Sequence, residues 1–249
     1  MGNESRVPAK SRSERRTLGQ RAGYAAIRIA ARLASVLGLG LRTRGRRNYP
    51  PVGGGLICSN HQSFLDPVLV GLTCDRRLNY LARSSLFKSA PLRMLIEFLD
   101  AIPIEREGIG LAGLKETLRR LRRGELVLIF PEGTRTHDGR IGDLKPGFCA
   151  VASRGDVPLI PVGIAGADRV WPRGKALPRL GKVSIVTGIP IDPEQFRAWD
   201  DEQLVAELDR RIRDCHRRAL ELAAGKSNVP APQASHPRVS GGRLRPAGA

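Results

Sequence analysis

A histidine and an aspartate five residues apart are the residues of this 249-residue sequence best suited to chemistry. His61 follows the short apolar run Leu56–Cys58, and Asp66 stands directly before Pro67. An aspartate that accepts a hydrogen bond from one imidazole nitrogen fixes the tautomer, which leaves the other nitrogen as a base near neutral pH. The pair therefore predicts a general base for a hydroxyl group. A helix cap at Asp66 and a hydrogen-bonded surface histidine would explain the same two residues without catalysis.

Further polar residues follow two other apolar runs. Arg106 comes after one of them, and Glu132 and Arg135 come after Leu126–Phe130. The guanidinium fork matches a phosphate, and a carboxylate at position 132 could orient an arginine or a substrate hydroxyl. Each residue alone could form a surface salt bridge. Together with His61 they predict a site for a phosphorylated alcohol.

The elements that must position these residues alternate along the chain from about residue 50. Short apolar runs followed by amphipathic segments predict an α/β fold with a mixed, largely parallel sheet flanked by helices. Ligands of such sheets gather at the carboxyl ends of the strands, where the candidate residues lie. The predicted strands are 56–58, 79–82, 101–104, 125–130, 158–164 and 183–187, and the predicted helices are 108–123, 146–154 and 201–223, with a further helix starting at Asp66.

A basic amphipathic helix is predicted near the N-terminus. Between Leu18 and Leu41, apolar residues alternate with Arg21, Arg28 and Arg32, whose spacing places all three on one helical face. The uncharged runs are too short to span a bilayer but suit a helix that lies in the membrane interface. Packing of this helix on the domain, with solvated arginines, is the alternative.

Four segments follow from these patterns. We expect a flexible basic N-terminus at 1–16 and an amphipathic, membrane-associating helix at 17–47. The catalytic domain is predicted at 48–225. The remainder, 226–249, contains four prolines and no apolar periodicity, which predicts a disordered basic tail.

The net charge of +18 is concentrated at the two ends of the chain. Residues 1–47 carry +10 and residues 226–249 carry +4, which leaves +4 for the 178 residues between them. A nucleic-acid-binding domain usually has its basic stripe on the folded body. The distribution suits attraction to an anionic surface, and phospholipid is as good a candidate as nucleic acid.

The four cysteines stand singly, without a CxxC pair. This spacing predicts neither a zinc site nor a disulfide framework, and it suggests a reducing compartment. Among the other reactive residue types, His137 is expected in an exposed turn and His216 on a solvated helix face. Ser59 and Ser63 lack a G-x-S-x-G elbow, so neither is predicted to be a nucleophile.

Four ordered blocks resemble those of the glycerolipid acyltransferases. Asn60–Asp66 resembles their N-H-x-x-x-x-D block, and Phe130–Arg135 reads F-P-E-G-T-R, like their third block. Two weaker matches, Ile102–Arg106 and Val157–Val162, look like the second and fourth blocks. The resemblance covers residues 50 to 190 approximately and implies a glycerol-3-phosphate acyltransferase-like fold.

The resemblance also implies a reaction. His61, held by Asp66, would take the proton of the free sn-2 hydroxyl of 1-acyl-glycerol-3-phosphate as that oxygen attacks an acyl thioester, with no covalent acyl-enzyme. Arg106 would hold the phosphate. The resemblance places seven residues in the substrate-binding set: Asn60, Arg106, Glu132, Gly133, Thr134, Arg135 and Lys145.

No cofactor and no metal are implied, because acyl-CoA or an acyl carrier protein thioester serves as co-substrate. The expected partners are the lysophospholipid acceptor, this donor and a membrane surface, with the protein on the cytoplasmic side, and no nucleic acid. One alternative keeps the chemistry and changes the acceptor to another lysolipid. A basic protein that binds nucleic acid or anionic membrane is the non-enzymatic alternative, and a lipid hydrolase is a third.

Overall fold

The computed structural model describes residues 18–83, 102–104, 110–172, 174–175 and 177–226. Within these residues the predicted α/β fold is confirmed, because strands alternate with helices and all the strands join one sheet. The seven strands of this sheet are β1 (Arg42–Arg44), β2 (Gly55–Ser59), β3 (Leu78–Arg83), β4 (Ile102–Ile104), β5 (Leu126–Ile129), β6 (Leu159–Ala165) and β7 (Ser184–Thr187).

The sheet is parallel except at one pair of strands. Its order is β1-β7-β6-β2-β5-β3-β4, and only β6 and β7 run antiparallel. The central strand β2 pairs in parallel with both neighbours, so that Cys58 lies opposite Ile129 of β5 and Ser59 lies opposite Val162 of β6. Because parallel strands end at the same edge of a sheet, the loops that follow β2 and β5 emerge side by side.

Helices cover both faces of the sheet. Alternate residues of β2 point to opposite faces, so Leu56 and Cys58 join one apolar cluster and Ile57 joins the other. The helices are α1 (Leu18–Leu39), α2 (Asp66–Thr73), α3 (Gly110–Arg122), α4 (Cys149–Gly155), α5 (Ala167–Val170), α6 (Pro193–Phe196) and α7 (Asp201–Ala223). The first cluster includes side chains of α3, α4 and α7, and the second includes side chains of α2 and α5.

The long helix α7 packs unusually close to the sheet. It begins with a capping box in which Asp200 and Gln203 exchange side-chain to backbone hydrogen bonds. At Gly163 of β6 there is no room for a side chain, since a β-carbon there would overlap the backbone of His216. This close approach brings His216 to the carboxyl edge of the sheet.

The N-terminal segment differs from the prediction of one element at 17–47. The helix α1 ends at Leu39, and Gly40 follows with the positive φ of +47° that commonly terminates helices. Arg42–Arg44 then add an edge strand parallel to β7. The short helices α5 and α6, of four residues each, were also not predicted, because a single turn shows no apolar period.

Two of the predicted segments cannot be compared with the fold. The segment 1–16 and the tail from 227 onward lie outside the described residues. Among the described helices, none is both long and apolar enough to cross a membrane. All four cysteines are buried free thiols.

Candidate active site

Two neighbouring loops carry the predicted chemistry. We call residues 60–66, after β2, the histidine loop, and residues 130–136, after β5, the glutamate loop. The parallel pairing of β2 with β5 places them together, and the backbone N–H of Thr136 donates to the carbonyl of His61 at 2.8 Å. The structure thus brings the two strongest sequence blocks to one edge of the sheet.

His61 and Asp66 form the expected pair. His61 Nδ1 lies 2.8 Å from Asp66 Oδ2, and the same oxygen accepts the backbone N–H groups of Gln62 at 2.6 Å and Ser63 at 2.7 Å. The Asp66 side chain is fully buried, whereas 19% of the His61 side chain is exposed. Because the Asp66 carboxylate accepts a hydrogen bond, the neutral imidazole carries its proton on Nδ1. Its Nε2 atom is therefore the nitrogen with a free lone pair.

The imidazole of His61 is also held by an aromatic ring. Phe130 stacks on it with 3.9 Å between ring centroids and 14° between ring planes. Phe130 is the first residue after β5. The end of β5 therefore supports the imidazole of His61, which follows the neighbouring strand β2. Stacking on one face and a hydrogen bond at one edge together restrict the rotation of the imidazole.

Glu132 binds two backbone N–H groups of neighbouring segments. Its Oε1 accepts the backbone N–H of His61 at 2.8 Å, and its Oε2 accepts the backbone N–H of Gly142 at 2.8 Å. Burial raises the pKa of this carboxyl, and the two backbone donors oppose the rise. Both oxygens are used within the protein, so Glu132 ties the histidine loop to the segment around Gly142.

Asn60 also contributes hydrogen bonds to the fold. Its side chain is buried, its Nδ2 donates to the carbonyl of Ile164 at 3.0 Å, and its Oδ1 accepts the N–H of Ile164 at 2.7 Å. These two bonds extend the pairing of β2 with β6 by one step. The substrate contact implied for Asn60 stays a prediction, and the contacts present in the structure give this residue a positioning role.

A histidine that was expected to be solvated lies against the histidine loop. His216 Nε2 is 3.4 Å from the amide nitrogen of Gln62. That amide also donates to the carbonyl of Gly139 at 3.3 Å, and its oxygen accepts the N–H of Ala167 at 3.2 Å. Burial lowers the pKa of the His216 imidazole. The sequence offered one signal for this contact, the glycine in β6 that allows α7 to approach.

Phe64 and Arg135 form the outer rim of the site. The guanidinium carbon of Arg135 lies 3.6 Å from the centroid of the Phe64 ring, and Trp171 approaches that ring at 5.9 Å between centroids. The carbonyl of Trp171 accepts a hydrogen bond from the Ser63 hydroxyl at 3.1 Å. This arrangement is the cation–π contact typical of arginine, and it keeps the predicted phosphate-binding residue Arg135 beside the histidine loop.

Gly133, Thr134 and Lys145 lie at the surface of the glutamate loop. Gly133 has a φ of +71°, and a β-carbon on it would lie 3.2 Å from Lys145 Nζ. The N–H of Lys145 donates to the carbonyl of Pro131 at 3.0 Å. Thr134 is exposed. The lysine therefore folds over the glycine, which puts a second cation on the same rim as Arg135.

The remaining candidates are placed as follows. Arg106 lies outside the described residues, although the strand before it, β4, is present. Ser59 is buried and donates to the carbonyl of Asn60, while His137 is exposed. In the described part of the chain, no group of three or more His, Cys, Asp or Glu residues could hold a metal ion.

The sequence model of the family described as Acyltransferase matches residues 40–165. That span is half of the chain and includes the histidine loop, the glutamate loop and the strands β2, β5 and β6. The chain belongs to the acyltransferase family. The prediction made from the four sequence blocks is thereby confirmed.

Relatives of this acyltransferase carry a common name. It is 27% identical over 188 residues to the 1-acyl-sn-glycerol-3-phosphate acyltransferase of Bacillus subtilis, covering 74% of this chain and 92% of that protein. It is 30% identical over 175 residues to the probable 1-acyl-sn-glycerol-3-phosphate acyltransferase of Mycoplasma genitalium, covering 65% of each.

A solved structure has the same fold. The crystal structure of the 1-acyl-sn-glycerophosphate (LPA) acyltransferase PlsC from Thermotoga maritima superimposes with a TM-score of 0.69 and 24% identity. The match covers 87% of this chain and 84% of that one. At this identity the likeness shows that the acyltransferase chain folds in the same way.

The geometry of the acyltransferase site suits proton removal from a bound hydroxyl. The Nε2 atom of His61 is the ring nitrogen left to accept a proton, and the ring is oriented by Asp66, Phe130 and the backbone contact to Glu132. Two cations, Arg135 and Lys145, lie on the adjoining loop. A hydroxyl that is part of an anionic molecule would be held at the rim and presented to the base.

Proposed function

We propose that this acyltransferase transfers a fatty acyl group from an acyl thioester to the sn-2 hydroxyl of 1-acyl-glycerol-3-phosphate, which makes phosphatidic acid. The observation that carries the proposal is the His61–Asp66 pair at the carboxyl edge of the sheet, with a basic rim beside it. The names of the relatives at 27% and 30% identity support this acceptor.

The chemical step needs no covalent intermediate on the protein. His61 Nε2 removes the hydroxyl proton as the oxygen forms a bond to the thioester carbonyl carbon. The carbon–sulfur bond then breaks, and the imidazolium returns its proton to the departing sulfur. Asp66 stabilises the imidazolium formed between these two events, because its carboxylate accepts from Nδ1 at 2.8 Å.

Recognition of the acceptor is assigned to cations on the rim. Arg135 and Lys145 are the described candidates for the acceptor phosphate, and Arg106, from the second sequence block, remains a prediction for the same task. Guanidinium and ammonium groups form charge-assisted hydrogen bonds to phosphate oxygens. The donor is a fatty acyl thioester of coenzyme A or of an acyl carrier protein.

We further propose that the protein works at the cytoplasmic face of a membrane, where its acceptor and product reside. The helix α1 supports this placement. Ile29, Leu33, Val36 and Leu37 share one side of it and are exposed, although apolar side chains of an amphipathic helix usually face a core. A helix that presents this side to solvent is suited to lie in the bilayer interface.

The decisive experiment measures thiol release and phosphatidic acid together. Purified protein is incubated with detergent-dispersed 1-acyl-glycerol-3-phosphate and acyl-CoA, beside His61→Ala and the control variant His236→Ala. We expect acceptor-dependent product with wild type and with the control, and a loss of at least about a thousandfold in His61→Ala. Thiol release without acceptor would mean hydrolysis. Equal turnover in all three proteins would exclude His61 as the base.

The same assay tests the acceptor. Lysolipids that lack a terminal phosphate are compared with 1-acyl-glycerol-3-phosphate in wild type, Arg106→Ala and Arg135→Ala. A loss in either variant that is confined to the phosphate-bearing acceptor supports the assignment. If another lysolipid is used better by wild type, the acceptor is wrong while acyl transfer stands. An acyl carrier protein thioester replaces acyl-CoA in a parallel set.

A further inference from the structure

A basic loop with exposed leucines lies beside the active site. It links α5 to β7, and we call residues 171–182 the leucine loop. Leu177 is 76% exposed and Leu180 is 86% exposed. The sequence of this loop contains four Lys or Arg residues and no Asp or Glu. A surface that combines large apolar side chains with one sign of charge is a candidate for contact with a membrane or another macromolecule.

The described parts of this loop are held in place by hydrogen bonds. The Trp171 Nε1–H donates to the carbonyl of Lys175 at 2.7 Å, and the N–H of Arg179 donates to the carbonyl of Val170 at 2.7 Å. The N–H of Val183, just after the loop, donates to the carbonyl of Leu39 at 3.0 Å. The exposed leucines are therefore presented from a fixed backbone and not from an unsupported segment.

The leucine loop is continuous with the exposed side of α1. A β-carbon on Gly38, in the last turn of α1, would lie 3.9 Å from Leu180 Cδ2. One on Gly40 would lie 3.6 Å from Lys182 Cγ. Leu180 therefore adjoins the last turn of α1, which also carries the exposed Val36 and Leu37.

The other end of the loop reaches the active site. Its first residue, Trp171, accepts the hydrogen bond from Ser63 and contacts Phe64 in the histidine loop. His61 is only two residues before Ser63 in the sequence. A membrane or macromolecule that covered Leu177 and Leu180 would therefore lie beside the histidine loop.

We infer that the leucine loop is a second lipid-contacting element, which inserts Leu177 and Leu180 into an anionic bilayer and sets the rim of the active site against its surface. The inference rests on the proposed function, in which both the acceptor and the product are membrane lipids. The helix α1 provides the first contact. Two contacts, one from α1 and one from the loop, fix the orientation of the protein more firmly than a single helix does.

Charge decides between a bilayer and other occupants. Lys175, Arg179 and Lys182 surround the two leucines and are exposed. In a symmetric dimer through this surface, like charges would face one another, which opposes association. Nucleic acid would engage the cations and leave the leucines in water. An anionic bilayer can contact both kinds of residue. Its headgroups bind the lysines and arginine, and its acyl region buries the two leucines.

The test compares vesicle binding of full-length Leu177→Ser/Leu180→Ser with that of wild type and Leu111→Ser. Leu111 is a matched control, since it is 78% exposed on α3, whose buried side chains belong to the cluster on the opposite face of the sheet. Sedimentation with sucrose-loaded vesicles of phosphatidylcholine and phosphatidylglycerol gives the partition coefficient. We expect a fall of about tenfold or more for the double variant and less than twofold for the control.

Turnover separates this inference from the proposed function. With a short-chain, water-soluble 1-acyl-glycerol-3-phosphate, the double variant should retain kcat/KM within about twofold, whereas with vesicle-embedded acceptor its rate should fall about tenfold. If wild type turns over no acceptor, the proposed function fails while vesicle binding still reports on the loop. Equal partition of wild type and double variant overturns the inference. Conversion of a wild-type dimer into a monomer by the double variant, seen by light scattering, also overturns it.

Discussion

The carboxylate of Glu132 holds the backbone of His61, although 71 residues separate the two in sequence. One oxygen accepts the N–H of His61, and the other accepts the N–H of Gly142. The glutamate of the F-P-E-G-T-R block therefore holds the backbone of His61 in place. This contact crosses from the end of one parallel strand to the end of its neighbour.

Replacing Glu132 should impair turnover more than acceptor binding. Glu132→Gln keeps the shape but exchanges one acceptor oxygen for a donor, so one of the two backbone N–H groups loses its partner. Such a loss costs about 1–3 kcal/mol, and we expect kcat to fall about 10- to 100-fold with little change in KM. Steady-state kinetics beside Glu194→Gln, an exposed glutamate on α6, checks this. A raised KM with unchanged kcat would instead show that Glu132 contacts the acceptor.

Local patterns were enough to predict most of the fold and the contact between His61 and Asp66. Buried strands such as Leu126–Ile129 are continuous apolar runs, and His61 and Asp66 are close enough in sequence for their contact to be expected. The edge strand Arg42–Arg44 was missed because three residues with two arginines show no strand pattern. This strand forms because it pairs with β7, which is about 140 residues away in the sequence. The pattern of residues 42–44 alone therefore does not indicate it.

The roles of Asn60, Glu132 and His216 could not be predicted for a related reason. Each makes its contact with a residue at least 70 positions away in the sequence, and the contact depends on how β2, β5, β6 and α7 are stacked. The family resemblance implied substrate binding for Asn60 and Glu132, and the sequence around His216 favoured solvent for that residue. The packing of the strands and of α7 turned all three into supports of the histidine loop.

His216 should make the stability of the protein depend on pH. The amide of Gln62 is oriented by its acceptor at Gly139 and its donor at Ala167, so its nitrogen faces His216 and requires an unprotonated Nε2 there. Burial lowers the pKa of His216 in the folded protein. Because the unfolded chain then binds the proton more readily, stability should fall as pH drops below about 6.5 toward the lowered value.

Two variants isolate this effect from the other charged groups near His216, which are Asp168 on α5 and Arg213 on α7. In His216→Gln the side-chain oxygen can accept from Gln62 without titrating, so the fall in unfolding free energy between pH 8 and pH 5.5 should be smaller than in wild type. In His216→Leu the acceptor is lost, and kcat should drop several-fold at every pH. Urea unfolding and initial rates measure both. An unchanged pH dependence in His216→Gln would exclude His216 as the titrating group.

Lys145 is expected to contribute to acceptor binding. Its side chain lies over Gly133 on the same rim as Arg135, and a charge-assisted hydrogen bond to phosphate is worth about 1.5–3 kcal/mol. Lys145→Ala should therefore raise KM for 1-acyl-glycerol-3-phosphate about tenfold or more, while Lys145→Arg should preserve most of the affinity. Lys226→Ala, at an exposed position after α7, is the control for loss of one positive charge. A KM equal to that of wild type in Lys145→Ala would remove this lysine from the acceptor site.

Gly163 should be intolerant of a single added methyl group. A β-carbon at this position would overlap the backbone of His216, so α7 would have to move away from β6 and open the core between them. Overpacking of this kind typically costs about 1–3 kcal/mol, and more where backbone cannot yield. Gly163→Ala should lower the unfolding free energy by at least about 2 kcal/mol. Gly147→Ala, where a β-carbon meets nothing within 4 Å, should change the unfolding free energy by less than about 0.5 kcal/mol.

Chemical denaturation of both variants measures the difference, and equal stability would mean that α7 packs farther from the sheet than the structure shows. Because α7 also carries His216, the same displacement should lower turnover in Gly163→Ala and leave it intact in Gly147→Ala.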